Sequence, residues 1–383
     1  MEVLVVGAGP AGLAAALGLL ADGHDVRVLE RAPALRAGGG AVTLSSGGTA
    51  VLAALGLDVG ALGRRLDVLD SRTDDGRPLM RVPLGELARR VGTPTVSVPR
   101  RTLLGRLAER LPAGVLRLGA DVVDVEPHRR RPLVRRADGE AVAADVLVGA
   151  DGETSGVRRA VRPGAVGRRT GWTTWQGCWA PGPTAPAVLR DLVDGHRVLF
   201  MTGPAGFADL QPAGDGLLQW SFSTPAGAVG DDDPLGDLRE RFAAWADPVP
   251  QVLALAPVAP GPWPHRTAPV PPTWGTGAVT LLGDAAHVMP PSLGQGVNQG
   301  LEDAHALAAA LAGGHGRDDP PAALRGYERR RARQVRPVAL LAGSEQAITH
   351  RALSRGVMRS LPDAWALGLW GGMVRRSSAA LAG

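Results

Sequence analysis

Three short turns carry the residues of this 383-residue chain that are best suited to hold a ligand. They are Gly7-Ala8-Gly9-Pro10-Ala11-Gly12, Gly149-Ala150-Asp151-Gly152 and Gly283-Asp284-Ala285-Ala286-His287. Each turn follows a run of apolar residues that is typical of a buried strand. Glycine lets a backbone approach a ligand closely, and a carboxylate such as that of Asp284 accepts hydrogen bonds from hydroxyl groups. The turns therefore predict a ligand site at the ends of buried strands.

The third turn leads through a Pro/Gly loop to a second glycine-rich stretch, Gly294-Gln295-Gly296-Val297-Asn298, and then to an apolar helical pattern. The start of that helix would present free N–H groups and the positive end of its dipole to whatever lies before it. An ordinary strand–loop–helix connection explains the stretch about equally well when it is taken alone. The other two turns decide between these interpretations.

The first turn lies between two predicted strands, the second of which ends at Glu30. Residues 2–6 are a continuous apolar run, typical of a parallel strand buried on both faces. In a dinucleotide-binding unit of this kind, Gly7 makes the tight turn, Gly9 admits the pyrophosphate and Gly12 lets helix and strand pack closely. The acid at position 30 accepts hydrogen bonds from ribose hydroxyls and repels a 2′-phosphate. The pattern therefore favours FAD or NAD over NADP as the bound dinucleotide.

The composition of the chain excludes several classes of protein. Its 42 basic residues are all arginine, a bias typical of GC-rich coding, so the net charge of +5 is weak evidence for nucleic-acid binding. The densest basic run, residues 128–136, predicts a solvated hairpin. A single cysteine, Cys178, excludes internal disulfides and a CxxC pair. Because no signal peptide and no apolar run of ~18 residues is present, we predict a cytoplasmic protein with no membrane span. We also expect no metal site and no nucleic-acid partner.

Between residues 172 and 222 the apolar residues recur with a period of two, which predicts an antiparallel sheet. We expect this sheet to form the floor of an apolar pocket, although aromatic stripes are more often plain core. The substrate pocket is expected to contain Gln176, Met201 and Trp220 of the sheet, with Pro290 and Pro291 of the loop after the third turn.

In this order, the three turns resemble those of the group A flavoprotein monooxygenases, the FAD-dependent aromatic hydroxylases of the p-hydroxybenzoate and salicylate hydroxylase type. The resemblance implies an α/β (α+β) fold, with a Rossmann-like FAD-binding domain, an inserted antiparallel β-sheet substrate domain and C-terminal helices. We expect the FAD-binding domain at residues 1–66, 95–166 and 273–330. The substrate domain is expected at 67–94 and 167–272, and the C-terminal helices at 331–383.

The resemblance also implies roles for individual residues. Arg100 begins an Arg-x-x-Leu-x-x-x-Leu pattern that contacts the FAD phosphates in the family. Asp151 matches an Asp linked to both FAD and NAD(P)H binding, and Asp284 matches the Asp on the ribityl chain. Gly296 and Val297 match backbone groups at the pyrimidine edge of the flavin. The full set expected at the cofactor is Gly7, Gly9, Ala11, Gly12, Glu30, Arg31, Thr43, Arg100, Val122, Asp151, Gly283, Asp284, Gly294, Gly296, Val297 and Asn298. Asn298 is the only Asn of the chain, which indicates that its amide is needed there.

The family chemistry implied is that NAD(P)H, as NADPH or NADH, reduces FAD and that O₂ adds at the flavin C4a. The resulting hydroperoxide transfers an electrophilic OH to the substrate. We expect an apolar or aromatic small molecule of secondary metabolism, hydroxylated or epoxidised by a monomer or homodimer. No catalytic residue is certain; the candidates are His287, Gln176 and Pro290, and His287 fits a structural role as well. Gln176 stands where relatives often have Arg, which argues against a carboxylate-bearing substrate.

Other flavoprotein classes fit less well. The absence of Lys argues against a flavin-dependent halogenase, and Cys178 alone excludes a disulfide reductase. The only Tyr, Tyr327, lies in a predicted surface helix, so deprotonation of a phenol by paired tyrosines is not available. Two alternatives stay open: a reductase or oxidase of the geranylgeranyl-reductase type, and a redox-neutral flavin-binding protein.

Overall fold

The computed structural model describes residues 1–35, 38–127, 131–165, 167–257, 261–349, 368 and 371–372. Within these residues the strands are β1 (Glu2–Val6), β2 (Asp25–Leu29), β3 (Ala41–Leu44), β4 (Arg64–Leu66), β5 (Val68–Thr73), β6 (Pro78–Val82), β7 (Thr95–Pro99), β8 (Leu116–Arg117), β9 (Val122–Glu126), β10 (Leu133–Arg136), β11 (Ala141–Ala143), β12 (Val146–Gly149), β13 (Arg168–Trp179), β14 (Arg197–Gly203), β15 (Gly206–Gly214), β16 (Leu217–Pro225), β17 (Trp263–Thr267) and β18 (Val279–Leu281). The helices are α1 (Pro10–Ala21), α2 (Ser46–Ala54), α3 (Leu84–Val91), α4 (Arg100–Ala108), α5 (Gly156–Val161), α6 (Ala187–Asp194), α7 (Pro234–Arg241), α8 (Val249–Leu255), α9 (Asp284–His287), α10 (Gly296–Leu311), α11 (Gly313–Asp318) and α12 (Pro320–Thr349). Short 3₁₀ turns span Val59–Ala61 and Pro291–Leu293.

A parallel sheet in the order β18-β12-β1-β2-β8 carries all three glycine-rich turns. Apart from Glu2 at the start of β1, strands β1 and β12 consist of apolar residues and glycine and are buried, as expected for a sheet covered on both faces. Val6 pairs with Gly149, and Gly149 pairs with Leu281. Because these three strands run in the same direction and end together, the turns that follow them meet at one edge of the sheet.

A second sheet of seven strands, in the order β17-β13-β16-β15-β14-β5-β6, is antiparallel except for the β14–β5 pair. The predicted antiparallel strands after residue 172 are thereby confirmed. Alternate residues of this sheet point to opposite faces. One face packs on α6, α7 and α8 and contains Trp175, Leu210, Trp220 and Phe222. The other face looks towards the parallel sheet and contains the polar residues described below.

The long helix α12 crosses the boundary expected at residue 330, because it begins at Pro320 and continues without a break into the expected C-terminal region. Tyr327 of this helix is 2% exposed, and its hydroxyl donates a hydrogen bond of 3.2 Å to the backbone oxygen of Leu281. The expected surface position of Tyr327 was therefore wrong: it faces the sheet, not solvent.

Parts of two expectations fall outside the described residues. The structure pairs β9 with β10, and residues 128–130 of the basic run between them lie outside it. So do residues 350–367, 369–370 and 373–383 of the expected C-terminal helices. Among the described residues, no helix combines the length and the apolar character needed to cross a membrane.

Helices α1 and α10 approach each other closely through small residues. A Cβ atom at Gly300 would lie 2.9 Å from the Cβ of Ala11, and one at Gly18 would lie 3.0 Å from the Cβ of Ala308. Gly300 also lies beside Gly283 of the third turn, where a Cβ would be 3.5 Å from the Gly283 Cα. The contact therefore sets the distance between the first and third turns.

We predict that Gly300→Ala lowers the melting temperature by several degrees, because overpacking of a tight contact costs about 1–3 kcal/mol. Gly326→Ala is the matched control, since this exposed residue of α12 has no atom within 4 Å of its Cβ position. Alanine at an unobstructed helical position is expected to be neutral or stabilising by about 0.5–1 kcal/mol. Thermal unfolding of the FAD-saturated variants measures both, and equal melting temperatures would contradict the close contact.

Candidate functional site

The first turn leaves space beside the N-terminus of α1. Gly7 has φ +108°, and a Cβ there would lie 2.4 Å from the Ala150 oxygen. A Cβ at Gly12 would lie 2.1 Å from the Gly7 oxygen, so both positions require glycine. The Cβ position of Gly9, by contrast, has no atom within 4 Å. This open position at a helix N-terminus fits a pyrophosphate, as expected from the sequence.

Glu30 lies at the end of β2 and holds the first turn through its carboxylate. Oε2 accepts a hydrogen bond of 2.8 Å from the Ala8 N–H, and Oε1 accepts one of 3.0 Å from the Ala32 N–H. A carboxylate oxygen has more than one lone pair, so both oxygens retain capacity for ribose hydroxyls. Arg31 follows as an exposed residue.

Two other expected cofactor positions, Ala11 and Val122, lie near the first turn and the end of β2. Ala11 packs against Gly283 and Gly300. Val122 begins β9, two residues after Ala120, whose N–H donates to the Glu30 backbone oxygen at 2.8 Å. The segment before Val122 therefore runs beside the end of β2.

Asp151, in the second turn, is occupied by hydrogen bonds within the protein. Its Oδ2 accepts from the N–H groups of Gly156 and Val157 at 2.7 and 3.2 Å, and its Oδ1 accepts from the Ser155 hydroxyl at 2.5 Å. Ser155 in turn accepts from the Arg158 N–H at 2.8 Å. The carboxylate thus stabilises the start of α5, where it satisfies free N–H groups and the helix dipole.

Arg158 joins the second turn to the third. Its Nη1 donates to the backbone oxygens of Asp284 and Ala285, both at 3.0 Å, and its Nη2 donates to the Glu153 backbone oxygen. The sequence analysis gave Arg158 no role. Only the tertiary structure shows that it positions the backbone around Asp284.

His287 lies in a buried network rather than at a cavity. Its Nε2 is 2.5 Å from Oδ2 of Asp303, and both side chains are completely buried. Asp303 also accepts from the Gly283 N–H at 2.9 Å and from Nε of Arg331 at 2.7 Å. The geometry favours the structural interpretation of His287: it fastens the third turn to α10 and α12.

Asn298 is likewise used within the protein. Its Oδ1 accepts from the Ser45 N–H at 2.9 Å, and its Nδ2 donates to the backbone oxygens of Thr43 and Gly294 at 2.9 and 2.8 Å. The side chain is completely buried. It therefore locks the first turn of α10 against the end of β3, which explains why an amide is needed here.

A cavity of about 320 Å³ lies between the third turn, the start of α10, β3 and the seven-stranded sheet. The expected cofactor residues that line it are Thr43, Arg100, Asp284, Gly294, Gly296 and Val297. Asp284 Oδ1 lies 3.6 Å from the Cβ position of Gly296, so the carboxylate sits beside the N-terminus of α10. Burial raises the pKa of Asp284, and the charges of His287, Arg100 and Arg158 oppose this rise.

The opposite wall is the polar face of the seven-stranded sheet, and it revises the expected substrate pocket. Gln176 and Pro291 line the cavity. Met201 and Trp220 do not: both are completely buried in the core on the other face of the sheet. Because the side-chain period of a strand is two, the lining residues are their neighbours Phe200, Gln219 and Ser221. Pro290 is buried and is not among the lining residues.

Sequence reasoning also missed three polar residues of this wall, Asp209, Gln211 and Gln219. The signal was present, since each alternates with apolar residues of β15 or β16. A polar residue that recurs with period two within an otherwise buried strand marks a face that meets something other than core. Among the described residues, no group of three or more His, Cys, Asp or Glu side chains is arranged to hold a metal ion.

Comparison with known proteins places these features in a family. Residues 1–341 match the family model described as FAD binding domain. The chain is 36% identical over 335 residues to 3-amino-4-hydroxybenzoate 2-monooxygenase of Streptomyces cremeus, covering 86% of this chain and 82% of that protein. It is 30% identical over 380 residues to the FAD-dependent urate hydroxylase of Klebsiella pneumoniae, covering 95% and 93%. The chain belongs to the FAD-dependent monooxygenases.

Solved structures agree with this assignment. Klebsiella pneumoniae HpxO, crystallised with FAD and uric acid, matches with a TM-score of 0.88 and 27% identity, over 98% of this chain and 97% of that one. A salicylate hydroxylase substrate complex shares the fold, with a TM-score of 0.77 at 24% identity. The expected fold class, FAD cofactor and monooxygenase activity are confirmed. The reductase, oxidase and redox-neutral alternatives are not favoured.

For this FAD-dependent monooxygenase we predict that Asp284→Ala weakens FAD binding about tenfold or more, because a hydrogen bond to a charged group contributes about 1.5–3 kcal/mol. Burial raises the pKa of this carboxyl, so keeping it ionised in the apoprotein costs free energy. Its removal should therefore not lower the melting temperature of the apoprotein. Flavin retained after gel filtration and a titration of apoprotein with FAD measure the effect. Asp231→Ala, in an exposed loop, is the control, and equal FAD affinity of the two variants would remove the role of Asp284.

We further predict that His287→Ala lowers the melting temperature by several degrees, because it removes a buried hydrogen bond to Asp303 and leaves a cavity. His315→Ala, at an exposed position of α11, should have little effect. The pH profile of NAD(P)H oxidation by FAD-loaded His287→Ala should keep the wild-type shape. A lost limb of that profile at unchanged stability would instead make His287 catalytic.

Proposed function

We propose that this enzyme hydroxylates an aromatic small molecule with O₂ and NADPH or NADH as co-substrates, and that the cavity between α10 and the seven-stranded sheet is the reaction site. One observation carries the proposal. The N-terminus of α10, Asp284 and Arg100 line one wall of this cavity, and a mixed polar and aromatic sheet face lines the other. A ring bound against the sheet would lie opposite the cofactor groups.

The residues present fit FAD. The open position at Gly9 and the carboxylate of Glu30 suit the pyrophosphate and ribose. The start of α10 supplies free N–H groups and a positive dipole end, which would stabilise negative charge on the reduced ring. When bound, FAD supplies electron transfer from NAD(P)H and activation of O₂.

The position of Arg100 supports the suggested contact of this residue with the FAD phosphates. It is the first residue of α4, it lines the cavity, and its guanidinium lies 5.9 Å from the ring centroid of Trp263. A guanidinium held over an aromatic face keeps its charge and its planar donors in a defined direction. The position therefore suits an anionic group that enters between the two sheets.

FAD binding and substrate binding are assigned to the two expected domains. We propose that residues 1–66, 95–166 and 273–330 bind FAD, and that residues 67–94 and 167–272 bind the substrate. This is supported by the seven-stranded sheet, all of whose strands lie within the second set of residues. Apolar side chains of the cavity, among them Phe200, Phe207 and Met289, would exclude water from the reacting ring.

The experiment is to load the purified protein with FAD and supply NADPH or NADH under ¹⁸O₂. The probes are 3-amino-4-hydroxybenzoate and uric acid, the compounds in the names of its relatives, and a panel of simple phenols and indoles. Faster NAD(P)H oxidation with one ¹⁸O atom in the product supports hydroxylation, and an oxirane product would show epoxidation instead. NAD(P)H oxidation without any oxygenated product across the panel would contradict the proposal.

A further inference from the structure

The polar residues of the cavity wall are arranged in three rows that cross the seven-stranded sheet. Strand register places Gln211 and Gln219 in one outer row and Phe207, Ser223 and Thr174 in the other. The middle row is Ser71, Phe200, Asp209, Ser221 and Gln176, each opposite the next on adjacent strands. All members of these rows line the cavity.

The polar groups of the outer rows are bound to other parts of the protein. Gln211 exchanges hydrogen bonds of 2.9 and 3.0 Å with the Thr43 hydroxyl, and Gln219 accepts one of 2.6 Å from the Ala41 N–H. These bonds hold the sheet against β3. In the other outer row, the Thr174 hydroxyl lies 2.6 Å from both the Ser223 hydroxyl and Nε2 of His265. The outer rows are therefore structural.

Asp209, at the centre of the middle row, is different. Its Oδ1 is completely buried and has no hydrogen-bond partner among the described residues. Burial raises its pKa to about 7, and no charged neighbour contributes to the shift. Buried carboxyl oxygens are almost always hydrogen-bonded, because an unpaired one costs free energy that an apolar residue would not. Oδ1 itself is closed off, but Asp209 as a residue is only partly buried and lines the cavity. Its carboxyl group therefore lies within reach of a ligand that brings a hydrogen-bond donor.

The other charged groups that line the cavity do not lie in the middle row. Arg100, Glu153 and Asp284 also line the cavity but lie outside the sheet. Arg266 lines it from the edge strand β17, which is separated from β15 by β13 and β16. On the adjoining strands β14 and β16 the lining residues are uncharged. A ring that lies on the middle row thus meets one ionisable group of the sheet, and a carboxylate accepts hydrogen bonds but donates none.

We propose that Asp209 binds the substrate directly through a phenolic hydroxyl and accepts its proton. The inference rests on the proposed function and specifies its substrate class: aromatic compounds with a ring hydroxyl. The O–H bond of the phenol breaks, an O–H bond forms on the Asp209 carboxylate, and the electron pair stays on the phenolate oxygen. The phenolate donates electron density to the ring and makes it more reactive towards an electrophilic oxygen. This supplies the base that a chain without paired tyrosines lacks.

The test measures binding rather than turnover. FAD-loaded wild type, Asp209→Asn and Asp209→Ser are titrated with phenol, catechol and 2-aminophenol and with the methyl ether of each, followed by the flavin absorbance. Asp215→Asn is the matched control: it is exposed in the β15–β16 turn with φ +53°, a conformation that Asn tolerates. Retained flavin absorbance shows which variants are folded.

We expect wild type and Asp215→Asn to bind at least one phenol about tenfold more tightly than its ether, since a hydrogen bond to a charged group contributes at least about 1.5 kcal/mol. Both Asp209 variants should lose this preference. Wild-type affinity for that phenol should rise about tenfold from pH 6 to pH 8 as the carboxyl of pKa about 7 ionises. In Asp209→Asn the affinity should be independent of pH over this range.

The proposal is overturned if wild type prefers no phenol over its ether, or if the Asp209 variants keep the preference and the pH dependence. Its failure is distinguishable from failure of the proposed function. If oxygenated product forms but the Asp209 variants bind phenols as wild type does, the proposed hydroxylase function stands and the role of Asp209 is refuted. If the phenol preference depends on Asp209 but no ¹⁸O is incorporated, the role of Asp209 in binding stands and the proposed hydroxylase function is refuted.

Discussion

The buried carboxylate of Asp303 is the interaction on which the rest of the site depends. It accepts hydrogen bonds from the Gly283 N–H and from Arg331 and pairs with His287, so three elements meet at one side chain. Burial by itself would raise the pKa of Asp303, but the charges and hydrogen bonds of His287 and Arg331 outweigh burial and lower it. Removal of one member of such a group leaves an unpaired buried charge, which costs about 3–5 kcal/mol. The position of Asp284 follows from this network.

A second set of contacts determines the distance between the two sheets. Gln211 and Gln219 bind β3 from the seven-stranded sheet, and Asn298 binds the end of β3 from α10. Strand β3 is thus held from both sides, with the cavity enclosed between its partners. Since these amides are buried and paired, their hydrogen bonds resist separation of the walls. A rigid, enclosed space is what a reaction that must exclude water requires.

The two faces of the seven-stranded sheet show how one pattern serves two purposes. The apolar set, with Trp220 and Met201, covers the helices α6 to α8, and the polar set faces the cavity. From the sequence, Met201 and Trp220 were expected in the pocket, because the apolar residues of this sheet recur with a period of two. The structure assigns them to the core because large apolar side chains lose most contact with water there. Asp209 and the glutamines, which would be costly in that core, take the other face.

The sequence by itself determined the elements and their ends. The three turns, the glycines at positions 7, 9 and 12, the acid at 30 and the Asp at 284 are local patterns of apolar runs, turns and caps. Their chemistry was predictable because the ends of strands and the starts of helices are signalled by residues that are adjacent in the sequence. The fold class was expected from the resemblance of the three turns, in their order, to those of a known family.

Only the tertiary structure decided which residues meet across the chain. The face that each strand presents depends on what packs against it. Asp303 pairs with His287, 16 residues away along the chain, Arg158 binds Asp284, 126 residues away, and Asn298 binds Thr43, 255 residues away. It also decided that Tyr327 is buried, that His287 is paired and that one buried oxygen of Asp209 has no hydrogen-bond partner in the part of the chain that the structure describes. Such outcomes depend on the competition of distant side chains for the same hydrogen bonds and the same core, and a local pattern carries no record of that competition.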